Sequence, residues 1–244
     1  MNRAFSALCS VSFLLSSWLA AFELPISSQQ CLVGIASDWN SSYVNLQWHQ
    51  KSGNSWRKVG NSWQARLGKN GLVWGLGLHP NPRGATVKKE GDGRTPAGVF
   101  RIGGTWGYDA TIRKHPQLAY RRVTPRDLWV EDVLSPSYNR HVILPHDPLT
   151  PWEKAQQMKQ NDSAHRLKLF IAHNAPPHVV KGAGSSIFFH IWRCDGAVPS
   201  AGCTTMREHN LRNLIAQMDP TKHPLYVILP QAEYQRYRKA WSLP

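Results

Sequence analysis

The sequence predicts a mostly β domain, sandwich-like, with a few peripheral helices. Three observations lead there. Between residues 43 and 78, short segments alternate apolar and polar side chains. Asn54, Asn61 and Asn70, each close to a glycine, separate those segments with turn chemistry. Eleven Trp and 17 Pro in 244 residues describe a loop-rich globule, and no repeat of fixed period is present. At this length one domain, or one domain and a processed segment, accounts for the chain.

Residues 1–21 read as a secretory signal. Arg3 supplies the positive start, residues 11–21 a mostly apolar core, and Leu19-Ala20-Ala21 a small-residue cleavage site. The apolar run is short and interrupted by Ser, so no stable membrane span is expected. The expected location is therefore outside the cytoplasm, in the periplasm or cell wall. Removal of the signal takes Cys9 and leaves Cys31, Cys194 and Cys203. An odd number in an oxidising compartment implies one free thiol. If Cys203 stays free, Cys31 and Cys194 either pair or persist as two inert buried thiols.

Residues 22–40 are polar and Ser-rich and read as a linker or edge segment. Val44, Leu46 and Trp48 then fall on one face of a half-buried strand, and Lys51-Ser52-Gly53-Asn54 reads as a hairpin turn. Residues 56–59, 63–67 and 72–78 are further strand candidates, and the series suggests an antiparallel sheet. Gly91-Asp92-Gly93 makes a turn, Pro96 forces Thr95 to be extended, and Val99 and Arg101 lead into a flexible Gly103-Gly104 exit. Thr95 and Phe100 are read as structural. Residues 153–167 read as a helix opening at Thr150-Pro151. Residues 167–173 read as a buried strand, 207–218 as an amphipathic helix, and 225–229 as a closing strand before a basic, aromatic tail.

The chain carries 29 Lys+Arg against 15 Asp+Glu, a formal charge of +14. Nucleic acid and an anionic wall or membrane surface fit that balance equally. The basic residues are spread along the chain without a long run, so composition alone does not decide. No CxxC, HExxH or close His pair is present, and neither a metal nor a cofactor is expected.

Residues 185–206, SSIFFHIWRCDGAVPSAGCTTM, carry the chemistry. An apolar run delivers His190, a turn follows, and Ser200-Ala201-Gly202 leads into Cys203. A thiol is mostly protonated at neutral pH, and a nearby imidazole can take its proton. The N–H groups of Gly202 and Cys203 are candidates to face a developing oxyanion. The helix expected shortly after Cys203 would favour a thiolate through its N-terminal dipole. The bland alternative is a buried Cys and a satisfied core His.

The strings FFHIW and PSAGCTTM, with the upstream GDGRTPAGVFRI, resemble the L,D-transpeptidase catalytic domain, the YkuD family. SPSYNRHV and IAHN lie between them, and the resemblance covers roughly residues 70–230 of a catalytic domain assigned to 41–244. Two positions depart from the family's signature: Ala201 stands where a His precedes Gly-Cys, and Thr205 where an Arg is usual. With a shortened His-to-Cys loop, these mark a divergent branch.

The resemblance implies a secreted cysteine acyltransferase acting on peptidoglycan stem peptides, with Cys203 as nucleophile and His190 as base. An L,D-carboxypeptidase or amidase on the same scaffold is the first alternative, and a non-catalytic module for an anionic wall or nucleic acid the second. With Ala201 at the usual His position, a backbone carbonyl or His173 must orient His190. Trp192 on the face of His190, Ser200 and Arg193 are further cleft candidates. Tyr138, Asn139 and Arg140 are candidates for the rim, Arg140 either for a substrate carboxylate or as a solvated surface side chain.

Overall fold

The computed structural model describes residues 22–244; the expected signal segment lies outside them. The strands are β1 Gln30–Ala36, β2 Tyr43–Ser52, β3 Ser55–Arg66, β4 Leu72–Trp74, β5 Thr95–Gly107, β6 Tyr120–Arg122, β7 Asp127–Trp129, β8 His141–Ile143, β9 Leu167–Ile171, β10 Phe188–Ile191, β11 Thr204–Met206 and β12 Leu225–Pro230. The α-helices are α1 Pro151–Ala155, α2 Glu208–Gln217 and α3 Gln231–Arg238.

The main sheet runs β12-β1-β2-β3-β11-β10-β9-β5, and β12 also pairs with β5. The sheet thus closes on itself, mostly β as the sequence predicts. It is mixed rather than purely antiparallel: β1–β12, β10–β11, β4–β5 and β5–β6 are parallel pairs. Its interior holds the main core, including Leu32, Leu46, Phe100, Leu169, Phe189 and Tyr226, and α2 adds Leu211, Leu214 and Ile215. A second cluster joins α3 to the other side of β1 and β12 through Tyr234 and Tyr237. The β7–β8 ribbon contributes Trp129 to a third cluster with Phe170 and Phe188. That cluster lies beside the site described below.

Several elements differ from the sequence reading for identifiable reasons. Residues 22–40 contain β1, which is central because β12 and β2 flank it on both sides. Residues 55–66 form one long strand. The turn expected at Asn61 is a bulge in the pairing with β2, where Gly60 takes φ +64°. β5 likewise runs through Gly103-Gly104, with a register shift there against β9.

The helix expected over 153–167 stops at Ala155. Thr150 and Glu153 cap its start reciprocally, but Asp162 accepts from the Ala164 N–H and starts a separate 3-10 turn at Ser163–His165. Cys31 is buried, Cys194 is exposed, and all three described cysteines are free thiols.

Candidate active site

Strand periodicity builds the site on the outer face of the sheet. On β10, Phe189 and Ile191 enter the main core, which turns Phe188 and His190 outward. On β9, Leu167, Leu169 and Ile171 point inward, leaving Lys168 and Phe170 outside. Register places His190 opposite Lys168 and Phe188 opposite Phe170. On β11, Thr204 meets the core residue Tyr226 through its hydroxyl at 3.1 Å, so Cys203 and Thr205 lie on the outer face. Thr205 pairs with His190.

Cys203, His190, Ser200, Gly202 and Arg193 line one cleft of about 310 Å3, together with Lys88, Glu90, Glu131, His165 and Lys168. The Cys203 thiol donates to the Ser186 carbonyl at 3.4 Å, and its sulfur accepts from the Phe188 N–H at 3.4 Å. The resting thiol is therefore held by backbone rather than by His190. Burial pushes it up to about 11, against the Phe188 N–H and the charge of Lys168, which lower it. The helix expected over 207–218 forms at Glu208–Gln217, but β11 stands between it and Cys203. Its dipole acts within its own first turn and does not reach the sulfur.

His190 donates from Nδ1 to the Ile191 carbonyl at 2.8 Å. This bond fixes the tautomer and leaves Nε2 as the proton acceptor. Burial pushes His190 down to about 4, opposed by that hydrogen bond. The orienting group is thus a backbone carbonyl. His165 packs against His190 with ring centroids 4.6 Å apart and the planes tilted by 30°, and its Nε2 accepts from Arg193 at 3.0 Å. Arg193 is held in turn by Asp162 at 2.5 Å.

Ser200 Oγ donates to the Cys203 carbonyl at 2.6 Å and accepts from the Gly202 N–H at 3.0 Å. This correction bears on the expected oxyanion pair: the Gly202 N–H is committed to Ser200. Gly202 itself is required by space and conformation. Its φ is +155°, and a Cβ there would come within 3.0 Å of the Arg94 carbonyl oxygen.

Three expected cleft residues lie elsewhere. His173 is fully buried. Its Nδ1 accepts from the Leu76 N–H at 3.1 Å and its Nε2 donates to the Ala183 carbonyl at 2.9 Å, so both nitrogens are spent on backbone. Trp192 follows the end of β10, packs beside Gly196, and carries Arg207 over its ring at 5.5 Å. Arg140 is exposed and outside the cleft lining.

Asn139, expected at the rim, is instead a buried hub. Its Oδ1 accepts from Trp129 Nε1 at 2.9 Å and from the Ser186 N–H at 3.0 Å, and its Nδ2 donates to the Asn174 carbonyl at 2.7 Å. It thereby fixes Ser186, whose φ is +56° and whose carbonyl takes the thiol hydrogen. The main residue missed from sequence is Lys168. Its signal was a single Lys inside the otherwise apolar strand LKLFI.

A model of the YkuD L,D-transpeptidase catalytic domain matches residues 57–227. The chain belongs to the YkuD family. Among solved structures, this YkuD domain is similar to the helical cell shape determining protein Pgp2 from Campylobacter jejuni, at 13% identity. That match covers 83% of this chain and 48% of that one, with a TM-score of 0.37. It is also similar to Bd1075 from Bdellovibrio bacteriovorus, at 14% identity over 87% of this chain and 54% of that one, TM-score 0.37. The chain thus spans about half the length of these structures. No curated protein matches it. Among the described residues no helix is long and apolar enough to cross a membrane.

Proposed function

We propose that this YkuD domain is an exported L,D-transpeptidase of a divergent Ser-Ala-Gly-Cys branch, acting on peptidoglycan stem peptides through Cys203. The observation that carries the reading is the outer-face juxtaposition: a thiol in a cleft, with a neutral imidazole of fixed tautomer in the same lining. Cys203 Sγ attacks the carbonyl carbon on the L-side of an L,D-bond, and the thiol proton passes to His190 Nε2. The carbonyl π electrons move to oxygen, where the Cys203 N–H donates. As they return, the C–N bond breaks, and the departing D-residue amine takes the proton from His190. An amine of a second stem then attacks the thioester, releases the thiol and forms the crosslink. With water as acceptor the same thioester gives carboxypeptidase or amidase chemistry.

Ala201, exposed at the rim, stands where a His is usual in the family, and the Ile191 carbonyl supplies the orientation of His190. Residues 1–21 would be the signal that delivers residues 41–244 to the periplasm or cell wall. The test is intact mass after exposure to a carbapenem, followed by incubation with purified stem-peptide fragments. The expected result is one covalent adduct, lost in Cys203→Ala, and crosslinked dimer as product. A folded Cys203→Ala that acylates at the normal rate overturns the nucleophile. Trimmed monomer alone makes the enzyme a hydrolase, and salt-sensitive binding without any adduct makes it a binding module.

A further inference from the structure

Among the cleft residues without a task in the proposed chemistry, Lys168 is the buried one whose charge is unanswered. Lys168 is only 5% exposed, yet it projects into the same outer face as Cys203 and stands opposite His190 across the β9–β10 pair. Its ammonium donates to the Met158 carbonyl at 3.2 Å and lies 5.7 Å from the Phe188 ring. The Phe188 N–H in turn donates to Cys203 Sγ. The other two cations of the lining are already neutralised, Lys88 by Asp92 and Arg193 by Asp162. Among the described residues, Lys168 has a carbonyl as its hydrogen-bond partner and makes no ion pair. A buried, unpaired ammonium is costly unless a negative charge arrives beside it.

We propose that the Lys168 ammonium is the counter-charge that stabilises the Cys203 thiolate in this cleft. The inference rests on Cys203 being the nucleophile. Lys168 acts as a positioning residue, through its field and without touching the reacting carbonyl.

Burial pushes Lys168 down to about 8, with Cys203 and Glu131 opposing, so it stays largely charged at pH 7. Of the other groups facing the pair, Glu131 disfavours the thiolate and Lys88 favours it. Asp162 raises and Arg193 lowers Lys168. His190 and His165 are neutral at pH 7, both pushed down first by burial. The same ammonium disfavours an imidazolium at His190. His190 therefore holds the thiol proton weakly and is a strong acid toward the leaving amine.

The test is the rate of iodoacetamide alkylation of Cys203 in the full chain near pH 7, where Lys168 is charged, read by mass mapping. The wild type is compared with Lys168→Met and Lys168→Arg. Lys168→Met is expected to slow alkylation at neutral pH about tenfold, the effect of making the thiolate about one pH unit harder to form than beside a charged Lys168. Lys168→Arg keeps the charge and should stay near the wild type. If circular dichroism shows Lys168→Met unfolded, Lys168→Gln is read in the same way. An unchanged neutral-pH alkylation rate in a folded, neutral variant overturns the proposal. So does an unchanged alkylation rate with a raised KM only for stems ending in a free carboxylate, which would make Lys168 a substrate clamp. Failure of the nucleophile reading is seen separately, as a persistent carbapenem adduct in Cys203→Ala.

Discussion

A thiol held near 11 and an imidazole held near 4 form a neutral pair at pH 7, both displaced by burial. The protein stores no thiolate–imidazolium ion pair at rest, so proton transfer must accompany attack on substrate. His190→Ala is expected to remain folded and to lose about 10²–10⁴-fold in acylation rate. Raising the pH should restore part of that loss, because solvent hydroxide then makes the thiolate without an imidazole. An acylation-rate profile against pH that matches the wild type would place the base elsewhere. Cys203 and His190 were legible because an apolar run ending in His and a Gly-Cys turn are contiguous strings. Lys168 was not, since its burial depends on which strand pairs with which. The choice between a cleft and a core role for His173 was open for a related reason: its string cannot reveal that the backbone at Leu76 and Ala183 occupies both nitrogens.

The connection from β9 to β10 is an irregular loop whose polar groups are answered by two buried amides. Asn174 accepts from the Val180 N–H at 2.8 Å and donates to the Val180 and Gly184 carbonyls at 2.8 and 2.9 Å. Asn139 reaches in from the β7–β8 ribbon to hold Ser186. Replacing Asn139 by Ala strands the Trp129 and Ser186 N–H groups in the interior. The expected cost is about 2–6 kcal/mol, since each of the two orphaned buried groups costs roughly 1–3 kcal/mol. Urea denaturation checks this, and a change below about 0.5 kcal/mol, the range of ordinary surface substitutions, would remove Asn139 from its role. At this scale the alternating and continuous apolar strands were readable, as was α2 with its Leu211, Leu214 and Ile215 stripe. Helix α3 was not, because QAEYQRYR offers only Tyr234 and Tyr237 as buried positions. The overlong 153–167 helix failed because α1 ends at Ala155 and Asp162 caps a separate turn over Ser163–His165.

Across the whole molecule, His79, His173 and His190 are buried and held neutral, at about 4, 3 and 4, in each case chiefly by burial. Their folded values lie below the unfolded value near 6.5. Between about pH 6.5 and 4 the unfolded chain therefore binds more protons, and stability falls as the pH falls. Each histidine contributes on the order of 1–2 kcal/mol of that loss by pH 5. Thermal melts should show Tm lower at pH 5 than at pH 7, and equal values would contradict the sign. The mostly β class was legible from periodicity, but closure was not. The parallel match of Cys31 with Leu225 joins distant segments that carry no mutual signature. That match governs the order in which the chain can mature. β12 is the stave between β1 and β5, so during synthesis both strands keep an open edge until residues 225–230 have left the ribosome. The ring cannot shut around a partial chain, and its emerging N-terminal half must travel unfinished.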